Sequence, residues 1–342
     1  MNLQEHIPLA SLTTFHIGGP GSILIEAHTE EEIHEAIVYA QKHNLALYPL
    51  GAGSNILIPD TGVDGVVLKI STSTIAFEDK EGETLLIADA GALWETVVDA
   101  ASDQELFGIE NLAGIPGTMG GAAVQNIGAY GAELSEVFEY ADTINSVTDE
   151  CLRIHFTDAE FAYRTSFFKK HREYIILRVA LRLSKQSSLN TVYTDLARAQ
   201  AEGTPLSTPR EIVSAIRSIR AKKFPDLTKE GTAGSFFKNP MVSRELADSL
   251  RARFPGLPSF PQENNTVKIS LAWILDKVLS LKGFSGGLVR LYEEQPLVIV
   301  ARRGATATEV DAFANEIAEH VRTTTDIAIE REVEMFGTQK EI

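Results

Sequence analysis

The sequence contains a single cysteine, Cys151, in 342 residues. One thiol closes no internal disulfide and supplies no multi-cysteine metal site. In the strand-like run Cys151-Leu152-Arg153-Ile154-His155-Phe156 it reads as a small side chain that packs and does no chemistry. Basic residues are also short: 31 Lys and Arg against 47 Asp and Glu leave a formal net charge of −16. Nucleic acid and anionic membranes require a basic surface, so neither is expected as a partner. An anionic small molecule is compatible with this balance only where the few cations are gathered. No apolar run approaches the roughly 20 residues of a membrane span. The opening MNLQEHIPLA lacks the basic and apolar blocks of a signal peptide, so the expected compartment is the cytoplasm. The eight histidines show no HxxxH or HExxH spacing, and no metal is expected. Nothing suggests a coiled coil or a large apolar surface, which leaves a monomer as the expectation.

What is present is ample core material, 44% hydrophobic residues, in a length that suits two or three domains. Thr29 and Glu32 form a capping-box pattern ahead of Ile33, Ala36, Ile37 and Ala40 at helical spacing, with Asn44 as a stop. Strand-like runs follow at Leu45–Leu50 and Val66–Ile70, giving a first lobe over 1–70. A second lobe over 71–190 opens with a strand at Leu85–Ala88 and a helix carrying Leu93, Val97, Val98 and Ala101. Strands at Val137–Val147, Leu152–Phe156 and Ile175–Leu183 then dominate. Residues 184–207 are polar and turn-prone and read as a connector. Within 191–220, Thr208-Pro209-Arg210-Glu211 opens a helix whose apolar face is Ile212, Val213, Ile216 and Ile219, with Arg217 and Arg220 on its polar side. The remainder, 221–342, holds helices near 270–280 and 308–322, a short strand Leu297–Val300 and a last strand Ile327–Phe336. Helix and strand mix in every lobe, so the fold class is α+β and not a doubly wound parallel sheet.

Four segments could carry chemistry. The glycine-rich stretch 108–131 and the shorter Gly51-Ala52-Gly53-Ser54-Asn55 let backbone approach a ligand, and loops of this kind offer free N–H groups to phosphate oxygens. Neither has the dinucleotide fingerprint, because Ile-Leu-Ile-Pro rather than a helix follows GAGSN. Read alone, GAGSN is equally a tight turn. Ser235, between Gly234 and two phenylalanines, lacks the elbow and histidine base of a nucleophile. It is either a serine in a turn or a proton donor, with Arg220, Lys222 and Lys223 supplying positive charge upstream. Alternation along IAIEREVEMFG puts Glu330, Glu332 and Glu334 on one strand face. Those carboxylates are a solvated face or, if the middle one is buried among like charges, an acid with a raised pKa. Arg164, set among Phe161, Tyr163, Phe167 and Phe168, is either a buried ion-pair partner or a grip for a carboxylate or phosphate.

Taken in order, TTFHIGGPG (13–21), PLGAGSNIL (49–57), GIENLAGIPGTMGGAAVQNIGAYGAEL (108–134), FAYRTSFF (161–168), AGSFFKNP (233–240) and IEREVEMFG (329–337) resemble the motifs of the UDP-N-acetylenolpyruvoylglucosamine reductase family. The resemblance spans about residue 10 to 337. It implies a two-lobed FAD cradle of the vanillyl-alcohol-oxidase type followed by a substrate domain. It also implies NADPH as hydride donor and UDP-N-acetylglucosamine enolpyruvate as substrate. The product, UDP-N-acetylmuramate, feeds peptidoglycan synthesis and through it cell-wall growth and division. By the same resemblance, Gly51, Ala52, Gly53, Ser54, Asn55 and Ile56 hold FAD, as do Ile115, Pro116, Gly117, Thr118, Gly120, Gly121 and Ala122. Asn126, Gly128 and Arg220 are further contacts. No His or Cys stands in a recognised attachment motif, so the FAD is expected to be noncovalent. Hydride passes from flavin N5 to C3 of the substrate. Ser235 matches the family's proton donor to C2, while Arg164 and Glu332 match the residues that polarise the carboxylate and stabilise the enolate. Tyr193 resembles the capping tyrosine of the family's longer type, and Lys223, Asn239 and Gln295 would contact the UDP-sugar. Glu334 departs from the pattern, since many members carry arginine there. A sugar or lactone oxidase of the same cradle, or a noncatalytic flavin- or sugar-nucleotide-binding descendant, are the competing readings.

Overall fold

The computed structural model describes residues 2–80, 82–186, 190–191, 193–262 and 265–337. The chain groups into two compact units, and neither is continuous in sequence. One comprises Met1–Ile7, Gly21–Ala52 and Asp64–Ala221; the other comprises Pro8–Pro20, Gly53–Val63 and Lys222–Ile342. The grouping divides at 221/222, one residue past the expected limit at 220, but not at 70 or 190, and it places two short N-terminal segments with the C-terminal unit.

In the first unit a four-stranded sheet has the order Asn2–Pro8, Pro20–Ala27, Val63–Ile70, Leu47–Leu50. The helix Glu30–Lys42 buries Ile33, Ala36, Ile37 and Ala40, the face its spacing predicts. Thr29 caps it by accepting from the Glu32 amide, and Asn44 stops it in the left-handed region at φ 50°. An antiparallel five-stranded sheet has the order Cys151–His155, Phe138–Asn145, Tyr174–Leu183, Glu83–Asp89, Ile75–Lys80. One row of partners crosses it, Ile154, Ala141, Val179, Ala88 and Ile75, and the first four are buried. The α+β class therefore holds.

Four local expectations are corrected here. Leu93 precedes the helix Trp94–Asp103 and is 58% exposed, while Trp94 takes the core position beside Val97, Val98 and Ala101. The connector contains the helix Thr194–Ala201, whose buried Leu196 is too little apolar sequence to show a period. Cys151 is exposed. Arg220, on the helix Pro209–Lys223, is drawn inward as described below.

The second unit holds two three-stranded sheets, Met241–Ser243/Thr266–Ile269/Ser259–Pro261 and Ser285–Gly286/Val289–Leu291/Ile299–Ala301. The helices Arg244–Arg253 and Ala307–Thr325 pack on them. A short parallel ladder joins Ile56–Leu57 to Glu334–Met335, pairing Ile56 with Glu334. The expected strand Ile327–Phe336 is reduced to this pair and one bridge between Phe237 and Arg331. With the run bent at 332–333, Glu330, Glu332 and Glu334 do not form one carboxylate row, and Glu330 instead meets Lys238 at 3.0 Å. Phe15, Ile17 and Leu57 are buried among Phe236, Phe237, Val289 and Phe313.

The helix Ala307–Thr325 has two devices at its start. Thr306 and Glu309 form a capping box. Asp60 then accepts from the Ala307 amide at 2.7 Å, the Thr308 amide at 2.9 Å and the Thr308 hydroxyl at 2.7 Å, groups that the helix itself leaves without partners. Burial pushes the Asp60 pKa up, but these hydrogen bonds outweigh it and hold the carboxyl below its ordinary value. The stabilisation is therefore present above the ordinary carboxyl range and is lost as pH falls through the lowered value. Asp60→Ala is expected to cost about 0.5–1 kcal/mol at neutral pH, the low end for a cap because the carboxylate is exposed. Urea titrations should show that gap closing in acid; a gap that persists at pH 2 would contradict this role.

Candidate functional site

The first unit assembles the long glycine-rich stretch against the end of the strand Glu83–Asp89. Met119 and Gly120 donate their amides to the Ala92 and Ala90 carbonyls, both at 2.9 Å, and the Trp94 indole donates to Leu112 at 2.9 Å. Thr118 caps the short helix Met119–Gln125 through the Gly121 amide. A Cβ on Gly120 would lie 3.0 Å from the Ala90 methyl, whereas one on Gly121 would approach nothing closer than the Thr118 hydroxyl at 3.5 Å. The backbone is thus tight against the protein at one glycine and open at the next, as a ligand cradle requires. Ile115, Pro116 and Gly117 lead into this helix, and Ala122 is buried within it.

Arg220 reaches the same loop. Its Nε donates to the Gly114 carbonyl at 2.8 Å, and it hydrogen-bonds the Tyr130 hydroxyl. Burial works against its charge and lowers its pKa, with Tyr130 and Glu95 opposing. A cation held in a low-dielectric setting beside glycine backbone is a donor set suited to a phosphate-bearing ligand.

Arg164 is positioned by the turn of the same stretch. Asn126, fully buried with φ 44°, ends the helix Met119–Gln125 and ties together Glu133, Ser135 and Ala162 through its side chain. The Arg164 guanidinium donates to the Gly128 carbonyl at 2.6 Å and to the Asn126 carbonyl at 3.4 Å. Arg164 itself has φ 56°, a left-handed conformation that costs on the order of 1–3 kcal/mol and concentrates at functional positions. Lys169 supports it, bonding the Arg164 carbonyl at 3.2 Å and Gln125 at 2.6 Å. The Tyr193 ring, 47% exposed, stacks edge-on against Tyr130 at 5.3 Å, so the connector comes down on the glycine-rich stretch. Gly51 and Ala52 lie in this unit, and a Cβ on Gly51 would stand 2.6 Å from the Thr118 hydroxyl.

The second unit brings Ser235, Glu332 and Asn55 together through backbone. Ser235 bridges Val298, and Phe236 donates to the Leu297 carbonyl at 2.8 Å. The Phe236 carbonyl in turn accepts the Glu332 amide at 2.8 Å, and the Glu332 carbonyl accepts the Asn55 side chain at 3.2 Å. Phe236 and Phe237 are buried edge-to-face below, fixing the ribbon. Gly234 has φ 76°, and a Cβ there would meet nothing within 4 Å, so open space adjoins Ser235. Among the described residues, none shares a hydrogen bond with the Ser235 hydroxyl. Gly53 must be glycine, because at φ 64° a side chain would run into the Leu12 carbonyl. Ser54 and Ile56 follow it toward the parallel ladder. Gln295 accepts the Val298 amide through its carbonyl at 2.9 Å, beside the Ser235 bridge. Asn239 accepts the Leu271 amide at 3.0 Å, and Lys223 ends its helix half-buried.

Sequence reasoning passed over three features. Lys69 and Lys169 contact the expected loops, but Lys69 stands alone in an apolar run and Lys169 begins the pair Lys169-Lys170 after an aromatic one, where pattern gives no signal. A cavity of about 440 Å³ in the second unit, lined by Phe15, His16, Lys229, Gly231, Arg302 and Arg303 among others, contains none of the expected site residues. Gly283-Phe284-Ser285-Gly286-Gly287 spells a nucleophile elbow, but Ser285–Gly286 is an exposed hairpin strand and not a strand-to-helix turn. Among the described residues, no group of three His, Cys, Asp or Glu could hold a metal, and no helix is long and apolar enough to cross a membrane.

Residues 21–150 match the family described as FAD binding domain, so the first unit carries an FAD-binding domain within an α+β flavoprotein fold. Residues 226–336 match the C-terminal domain of UDP-N-acetylenolpyruvoylglucosamine reductase. Relatives named UDP-N-acetylenolpyruvoylglucosamine reductase include one from Pseudomonas aeruginosa, 36% identical over 98% of this chain and 99% of the relative. Another, from Bdellovibrio bacteriovorus, is 34% identical over 97% and 99%. The crystal structure of the reductase from Thermus caldophilus shares the fold, with a TM-score of 0.68 at 24% identity over 98% of this chain and 99% of that one. The chain belongs to the UDP-N-acetylenolpyruvoylglucosamine reductase family.

Proposed function

We propose that the protein uses NADPH to reduce UDP-N-acetylglucosamine enolpyruvate to UDP-N-acetylmuramate in peptidoglycan precursor synthesis. The observation that carries this reading is the Phe236–Glu332–Asn55 hydrogen-bond chain beside Ser235, which gathers Ser235, Glu332 and the end of the GAGSN segment in one unit. FAD, when bound, would supply the hydride transfer from NADPH to C3 of the substrate. Gly51–Ile56, Ile115–Ala122, Asn126, Gly128 and Arg220 would hold it noncovalently. The residues present suit that cofactor, since open glycine backbone and a desolvated guanidinium are donors that a diphosphate would accept from.

The remaining chemistry belongs to side chains. Negative charge grows at C2 and in the carboxylate as the double bond is reduced. Arg164, pre-aimed by Gly128, meets that charge with a fixed guanidinium, so little reorganisation is needed as it forms, and Glu332 is the second residue assigned to the enolate. Ser235 gives its hydroxyl proton to C2 and completes saturation of the bond; solvent restores the proton. Tyr193, Lys223, Asn239 and Gln295 would bind the UDP-sugar. The proposed setting is the cytoplasm, with the protein acting as a monomer.

An anaerobic titration tests this directly. NADPH should bleach the flavin absorbance, and the enolpyruvyl substrate should restore it with one product formed per flavin. Recovery with oxygen but not with the enolpyruvate would overturn the proposal in favour of an oxidase.

A further inference from the structure

Lys69 lies in the most apolar part of its strand. Val66, Val67 and Leu68 before it are fully buried and Ile70 after it is 8% exposed. Lys69 itself is half-buried among them, and that burial lowers its pKa from the ordinary value. Such a charge is costly unless an anion compensates it. Glu26 is the nearest acidic influence, but its carboxylate accepts the Ser71 hydroxyl at 2.8 Å and makes no ion pair with Lys69. Among the described residues, the one hydrogen-bond acceptor that the Lys69 ammonium meets is the Gly51 carbonyl. A carbonyl satisfies one of three donors and none of the net charge.

The position of that contact is informative. Parallel pairing sets Lys69 opposite Leu50, so its side chain reaches the first residue of GAGSN. Gly51 is also where this segment abuts Thr118, which caps the helix Met119–Gln125. The ammonium therefore stands at the junction of the two glycine segments assigned above to FAD. We propose that Lys69 is a further FAD-binding residue, whose ammonium is the counter-charge to the cofactor's diphosphate at this junction. The inference rests on the assignment of FAD to these loops.

The alternative role is purely structural: Lys69 could serve only to hold the Gly51 peptide. The two roles predict opposite changes in the flavin-free protein. A cation awaiting a ligand anion is a burden before the ligand arrives, so Lys69→Met should leave the melting temperature of the flavin-free full chain unchanged or raise it. The same substitution should weaken FAD binding on the order of ten- to a hundredfold, the range for a hydrogen bond to a charged group. Lys69→Arg should restore most of that affinity. Both quantities can be read by differential scanning calorimetry and by quenching of flavin fluorescence, without turnover. FAD affinity within twofold of wild type in Lys69→Met would overturn the proposal. So would a loss of affinity accompanied by a lower melting temperature, or by failure to fold, since either marks a structural strut. Absence of FAD binding by the wild-type chain would instead remove the underlying assignment, and that result is visible before any variant is made.

Discussion

Ser235→Ala is expected to keep NADPH-driven flavin bleaching at the wild-type rate while slowing recovery with the enolpyruvyl substrate by about 10²- to 10⁴-fold, the usual range for loss of a general acid. The split follows from the local structure. The ribbon holding Ser235 is built from main-chain contacts, the Val298 bridge and the Phe236-to-Leu297 hydrogen bond, and from the buried Phe236 and Phe237 rings. The hydroxyl takes no part in that scaffold among the described residues. Its removal should therefore leave the fold and the first half-reaction intact and remove only the proton delivered to C2. Stopped-flow absorbance separates the two half-reactions. Equal slowing of both would mean that the substitution disturbs flavin binding, and normal recovery would eliminate Ser235 as the donor.

A fragment spanning residues 222–337 is expected not to fold cooperatively, although residues 226–336 match a family domain. It would lack Phe15, Ile17 and Leu57, which are 1%, 4% and 1% exposed in the second unit's core. Burial of three such side chains contributes on the order of 5–9 kcal/mol, comparable with the entire stability of a typical domain. It would also lack Ile56–Leu57, the parallel partner of Glu334–Met335, and the Asp60 carboxylate at the start of the helix Ala307–Thr325. Circular dichroism during heating should show a broad, shallow loss of signal. A sharp transition in the fragment would show that the inserted N-terminal segments are dispensable.

The parts of the molecule that were legible in sequence are those governed by local periodicity or by short-range capping. The helices at 30–42 and 209–223 announced themselves through Thr29 and through Thr208 with Glu211, and the alternation in 175–183 gave a central strand. Ser235, Arg164 and Glu332 are assigned together only through the resemblance of their segments to the family, since each read alone has an ordinary structural explanation. What periodicity could not supply was long-range placement. Glu332 looked like the centre of a carboxylate row, but the Phe236 carbonyl and the Asn55 side chain bend its segment out of strand geometry. Arg220 looked like a surface residue of an amphipathic helix until Gly114 and Tyr130, about a hundred positions earlier, took its guanidinium. Lys69 gave no pattern at all, because its meaning depends on a carbonyl supplied by a neighbouring strand's exit.

The ladder between Ile56–Leu57 and Glu334–Met335 has a consequence for synthesis. Asn55 and its hydrogen-bond partner Glu332 are separated by 277 positions. At roughly 5–20 residues per second, a ribosome needs on the order of 15–55 seconds to make that intervening chain. Throughout this interval Phe15, Ile17 and Leu57 have no finished core to enter, and the Ile56–Leu57 edge has no strand beside it. The nascent chain thus carries an apolar segment in waiting. That segment finds its partner only as the residues that carry Glu332 emerge, so completion of the second unit and arrival of Glu332 are one event.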